Sequence, residues 1–195
     1  MKLGFFGLPQ ENAIVREMME WSNTALNTPH PFFNNLPPCP YAKQAWLEDR
    51  VAVIFKYENN YQTLYSTISQ FQDIFDVAII VDMENKLDNE DFHTYLDGLN
   101  LAIAEGFFID RDIWLMGFHP EDEMSEFEED VPFEPLVDNQ YSLIFVQRLS
   151  KLQEAADKLS KKGYYDGYED GYDAKDIFEL RKKLYRRLKN GDEPS

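Results

Sequence analysis

Two residues of the chain are of types that do covalent and proton-transfer chemistry: the single cysteine, Cys39, and one of three histidines, His119. A thiolate is a nucleophile and a nearby imidazole can act as its general base, so the pair would suit acyl or thiol transfer on a small molecule. Cys39 stands in Leu36-Pro37-Pro38-Cys39-Pro40-Tyr41-Ala42-Lys43. Pro40 is placed for the first turn of a short helix, about 40–48, with Cys39 as its cap. The partial positive charge of a helix N-terminus lowers a thiol pKa. His119 follows the run Ile113-Trp114-Leu115-Met116-Gly117-Phe118 and precedes Pro120 and a string of acids. Glu121, Asp122 or Asp82 could orient its ring. Arg148, leaving a later strand, is a candidate for binding a substrate carboxylate. His30 and Tyr41, which flank Cys39 in sequence, complete the candidate substrate-binding set. The competing readings are plain ones: Cys39 as a small hydrophobe in a buried turn, and His119 as a hydrogen-bond partner of a loop carbonyl.

Metal chemistry has less support. His30, His93 and His119 with carboxylates would suit zinc, iron or manganese, but no HxxxH or HxD spacing occurs, so no metal ligand is assigned and the cofactor is left open. His93 falls beside the apolar face of a helix, where solvation is the simpler reading. Asp166, Asp170, Asp173 and Asp176 lack the alternating ligands and terminal Glu of an EF-hand. Seven of the ten residues from Glu121 to Asp130 are acidic, a pattern that most often marks a solvated loop. The chain contains no GxGxxG, Walker loop, HExxH or GxSxG, which lowers the case for nucleotide, zinc-protease and hydrolase functions.

The elements that must position these residues follow from hydrophobic periodicity. Ile14, Met18, Trp21 and Ala25 recur at helical spacing from Asn12 to about Asn27, and Thr28-Pro29-His30-Pro31 stops that helix. A strand is expected at Val51–Phe55, and a helix capped by Asn59 or Asn60 to about Ile74. The next strand is Val77–Val81, followed by a helix over 90–105 capped by Asn89. Residues 113–116 give a third strand. Strand–helix–strand connections of this length favour parallel pairing. In such a sheet ligands sit beyond the carboxyl ends of the strands, which places His119, and Cys39 if its helix runs antiparallel to the first strand, at one edge. Residues 119–140 read as a long acidic loop and Ser142–Arg148 as a fourth strand. Ser150 with Gln153 makes a capping box for a helix to Ser160. A last helix over about 173–189 carries Ile177, Leu180, Leu184 and Leu188 on one stripe and is basic toward its end.

Composition limits the function classes. With 195 residues, 44% hydrophobic and fifteen Phe, the chain can bury a full core, and its net charge of −17 argues against nucleic acid. One cysteine excludes an internal disulfide framework and fits a reducing, cytoplasmic setting. No signal-peptide pattern appears near the N-terminus, and no apolar run is long enough to span a membrane.

Leu36-Pro37-Pro38-Cys39-Pro40-Tyr41-Ala42-Lys43 and Phe118-His119-Pro120 resemble the two motifs of an uncharacterised bacterial family: an Asn-Leu-Cys-Pro-Phe-Ala-like motif after a first helix containing Trp, and a Phe-His-Pro motif after a later strand. The similarity runs from about Trp21 to Leu159. Tyr41 stands where the family has Phe, and Gln140-Tyr141-Ser142 where it has Ser-Pro-Tyr-Pro. His30-Pro31 ahead of Cys39-Pro40-Tyr41 also resembles a second uncharacterised group of domains found near biosynthetic genes. The resemblance implies a shared fold and draws attention to Cys39 and His119, and supplies no activity.

The sequence therefore predicts an α/β fold: a small, mostly parallel four-stranded sheet, its last strand possible as an antiparallel partner of the third, with helices around it and one more helix at the C-terminus. Residues 1–163 form the domain, and 164–195 a Tyr/Gly/acid linker and basic helix. The first functional expectation is a small-molecule enzyme using Cys39 and His119. The alternative is a non-catalytic binding or assembly module using the acidic loop and the tail, with a protein partner or homo-oligomer contacted through 164–195.

Overall fold

A computed structural model describes residues 8–108, 110–122, 140–167 and 173–191. Residues 1–7, where with residue 8 the sequence allows a short strand or an arm, most of the acidic loop (123–139), the end of the Tyr/Gly/acid linker and the final four residues lie outside them. Four apolar runs form strands: β1 (Val51–Lys56), β2 (Val77–Asp82), β3 (Trp114–Phe118) and β4 (Ser142–Gln147). Among the described residues six α-helices accompany them: α1 (Pro9–Thr24), α2 (Ala42–Leu47), α3 (Gln62–Gln70), α4 (Asn89–Ala104), α5 (Leu149–Ser160) and α6 (Asp173–Asn190).

The strands lie in the order β1-β2-β4-β3. β1 and β2 pair in parallel, while β4 is antiparallel to both of its neighbours. The expected mostly parallel sheet is thus corrected to a mixed one with a single parallel pair. β1, β2 and β3 do run in the same direction, but β4 has inserted between β2 and β3. The physical reason lies in β4 itself. Leu143 and Phe145 pack toward one face, and Ile144 and Val146 toward the other. A strand apolar on both faces gains most in the middle of a sheet covered on both sides.

Strand alternation divides the core into two layers. Val53, Phe55, Ile79, Val81 and Phe145 face α1 and α2, where Ile14, Met18 and Trp46 meet them. Ala52, Ile54, Ile80, Leu115 and Val146 face α3 and α4, against Leu64, Ile68, Phe92, Leu96 and Ile103. Gly117 lets α4 press close to β3, since a Cβ there would collide with the side chains of Phe92 and Leu96.

Several helix ends differ from expectation because a longer-range partner outcompetes the local one. Asp88, not Asn89, caps α4 by accepting from the Asp91 N–H at 2.9 Å. The Ser150–Gln153 capping box does not form. Asp112 takes its place, accepting from the Ser150 N–H at 2.7 Å and the Ser150 hydroxyl at 2.6 Å. Gln153 is fully buried, with its amide turned to Asp157 at 2.9 Å. Tyr41, not Cys39, precedes the first residue of α2. Cys39 instead forms a turn, its N–H donating to the Leu26 carbonyl at 2.9 Å and its carbonyl accepting from the Ala42 N–H at 3.1 Å. Tyr164 is buried, stacks on Phe33 at 4.8 Å and donates its hydroxyl to the Pro38 carbonyl at 2.6 Å. The chain is therefore anchored at the start of the expected linker. Beyond it, Leu184 of α6 buries against Leu149 and Trp114. Among the described residues no helix is long and apolar enough to cross a membrane.

Candidate functional site: the open edge of the sheet

The carboxyl ends of β1 and β2 bring two charges together. Register pairs Lys56 with Asp82, and Asp82 with Ser142, on the face toward α3 and α4. Lys56 Nζ donates to Asp82 Oδ1 at 2.8 Å, and each residue is only 3% exposed. The same carboxylate oxygen accepts from the Glu84 N–H at 3.0 Å. Ser142 Oγ accepts from Asn85 Nδ2 at 2.8 Å. Above this cluster Tyr61 has its hydroxyl pKa raised by burial first and by the Asp82 charge second. Lys56, Asp82, Asn85 and Ser142 find partners inside the protein, so the cluster ties the β2–α4 connection to the sheet. It does not present an open reactive group.

His119 is buried one strand end away. Its Nε2 lies 3.1 Å from the Leu87 carbonyl, and its Nδ1 accepts from the Glu121 N–H at 3.2 Å. That pattern needs the neutral ring protonated on Nε2. The His119 N–H donates to Asp122 at 2.7 Å, and the other oxygen of Asp122 lies 2.8 Å from His93 Nε2. The ring thus fastens the turn after β3 to the segment ahead of α4, with both nitrogens engaged by the main chain.

Cys39 sits on the segment after α1, and α1 and α4 cover opposite faces of the sheet. Burial pushes its thiol up, opposed in part by the Tyr41 and Ala42 N–H groups. Among the described residues no hydrogen bond or ion pair joins Cys39 to His119. Alkylation of the native thiol is expected to be slower than that of a free cysteine at pH 8, and unchanged by His119→Ala. A measured rate at or above the free-thiol value, falling in the variant, would restore the coupled pair.

The other candidates are also placed. Arg148 emerges at the opposite edge of the sheet, at the carboxyl end of the one strand that runs backward. Its guanidinium donates to Asp110 and to the Phe71 carbonyl at 2.9 Å, lies 3.0 Å from Asp73 and stands over the Phe71 ring. Those contacts hold internal loops together. His30 precedes a 3-10 turn and accepts from the Phe32 N–H at 3.2 Å. Tyr41 is exposed at the start of α2. Among the described residues no group of three or more His, Cys, Asp or Glu side chains is arranged to hold a metal ion.

What the sequence did not reveal is the outer side of β1, which among the described residues is an edge strand. The Met83 N–H donates to the Lys56 carbonyl, so Lys56 turns its main chain toward β2, and so do Ile54 and Ala52 two and four residues before it. The alternate residues Val51, Val53 and Phe55 direct their N–H and carbonyl groups outward. Beside this edge, under α3, runs a cleft of about 660 Å3. Ala52, Ile54 and Ala78 give it an apolar floor, and Asn60, Thr63 and Gln70 are among the uncharged polar groups on its rim. Exposed apolar side chains stand at both ends of the strand, Leu47 at 70% and Tyr57 at 48%. The available signal was compositional: Val51-Ala52-Val53-Ile54-Phe55 contains none of the prolines or outward charges with which edge strands are usually blunted.

No family model matches the chain, and no curated protein or solved structure matches it either.

Proposed function

We propose that the chain is a non-catalytic binding module that takes an extended segment of a basic partner protein as an added strand along β1. The observation that carries this reading is the edge of β1, open among the described residues, with the cleft of about 660 Å3 beside it. Strand addition draws its affinity from main-chain hydrogen bonds and its specificity from pockets that receive alternate side chains. β1 offers the first through Val51, Val53 and Phe55, and the cleft offers the second. The basic character of the partner follows from charge. The chain carries −17 overall, and Glu48, Asp49 and Glu58 flank β1 in sequence. Like charge would oppose a second copy at the same edge.

The enzymatic reading has weaker support. A general base needs a nitrogen free to take a proton, and both ring nitrogens of His119 are engaged. A nucleophilic thiol needs a lowered pKa, and that of Cys39 is raised.

Fluorescence anisotropy with a labelled decapeptide of alternating lysine and valine tests the proposal. Saturable binding that weakens with salt, and drops at least roughly tenfold in Val53→Pro, is expected, since that variant removes one outward donor and blocks the edge. Equal binding by the variant, or none by the unmodified chain, would contradict it.

A further inference from the structure

We propose that a second, smaller pocket, bounded by α4, the segment just ahead of β3, the start of α5 and α6, binds the oxyanion group of a small ligand, a phosphate or a carboxylate on a short apolar stem. The pocket holds about 120 Å3 and is lined by Arg111 and Arg187, with Ile113, Leu149, Leu184 and Leu188 as its apolar wall. The arginines carry the argument. Arg50, Lys56, Arg148, Lys151 and Lys182 pair with carboxylates, while Lys43, Lys183 and Arg186 stand exposed without one among the described residues. The exposed Arg111 and half-buried Arg187 also have no carboxylate partner among the described residues; what sets them apart is that both line one cavity.

Further features fit an anion held there. Asn100 also lines the pocket, but its amide is committed to both main-chain groups of Leu115, at 2.8 and 3.0 Å. That leaves the two guanidiniums as its charged groups. Arg111 lies against Gly106, whose φ of +85° and lack of a side chain make room for the guanidinium. Guanidinium forks match the paired oxygens of carboxylate and phosphate. At roughly 30 Å3 per water molecule the volume accommodates about four waters, enough for one phosphate or a short carboxylic acid. The C-terminal ends of α4 and α6 also border the pocket, and their partial negative charge favours cations and opposes an anion. An anion is held there only if both arginines contribute.

The test is an NMR titration of the full, 15N-labelled chain in low-chloride buffer, with inorganic phosphate and with butyrate separately. Saturable shifts of the Gly106 and Gly191 amides with either anion are expected, because Gly191 lines the pocket and Gly106 backs Arg111. Phosphate alone would identify a phosphoryl ligand, butyrate alone a carboxylic acid, and both an oxyanion site of broad acceptance. Arg111→Gln and Arg187→Gln should each weaken binding roughly tenfold or more while the amide spectrum stays folded. Absence of saturable shifts with both anions, or unchanged binding in either variant, would overturn the proposal and leave the arginines as partners of the helix ends.

Discussion

Lys56→Met is expected to lower the stability of the chain by roughly 3–5 kcal/mol, because it leaves the Asp82 carboxylate buried without its counter-charge. The pair is 2.8 Å apart and closed off from water. For a domain whose total stability is about 5–15 kcal/mol, such a loss is a large fraction. Desolvation explains the asymmetry that should follow. Each ion pays to leave water, and their mutual attraction only offsets that cost, so removing both should be far milder than removing one. Lys56→Met combined with Asp82→Leu is expected to lie within about 1 kcal/mol of the unmodified chain or above it. Urea denaturation of the single and double variants measures both numbers. A single variant losing less than about 1 kcal/mol would mean that the charges are solvated in solution.

A second large effect comes from moving one proline by one residue along β1. Ala52→Pro is expected to cost roughly 3 kcal/mol or more, since Ala52 turns its N–H toward β2 and the ring would strand a buried acceptor and push into the neighbouring strand. Val53→Pro removes an N–H that points away from the sheet, which edge strands tolerate, and is expected to cost about 1 kcal/mol. Thermal denaturation should therefore rank the two well apart, with Val53→Pro near the unmodified chain. The reverse ranking, or two equal losses, would mean that the outward side of β1 is paired. The same contrast makes Val53→Pro useful for binding studies, because it closes the edge and spares the fold.

The strands were legible in the sequence because each is a short, nearly unbroken apolar run, and their extents were read to within a residue or two. Their pairing was legible only in part: the antiparallel pairing of β4 with β3 was among the expectations and is observed, but the insertion of β4 beside β2 depends on its being apolar on both faces, which was not weighed. Local capping signals misled for a related reason: Ser150 and Gln153 have the right spacing, but Asp112, 38 residues away, makes the better bond. The two reactive residue types were visible at once, and the plain reading of His119 as the partner of a loop carbonyl is met by Leu87. Which main-chain groups hold the ring, the Leu87 carbonyl and the Glu121 N–H, leaves no trace in residue identity. One signal was there to be used. Val51-Ala52-Val53-Ile54-Phe55-Lys56 and Val77-Ala78-Ile79-Ile80-Val81-Asp82 are six-residue runs with opposite charges at their sixth positions. Parallel pairing in register, as observed, sets those charges side by side.

Amide hydrogen exchange along β1 tests the central claim most directly, because it reads each N–H separately. In the free chain, Val53 and Phe55 should exchange quickly while Ala52 and Ile54, bonded to β2, exchange slowly. Addition of the lysine–valine peptide should slow Val53 and Phe55 and leave the other two as they were. Protection of Val53 and Phe55 already in the free chain, or no change on adding the peptide, would contradict the account.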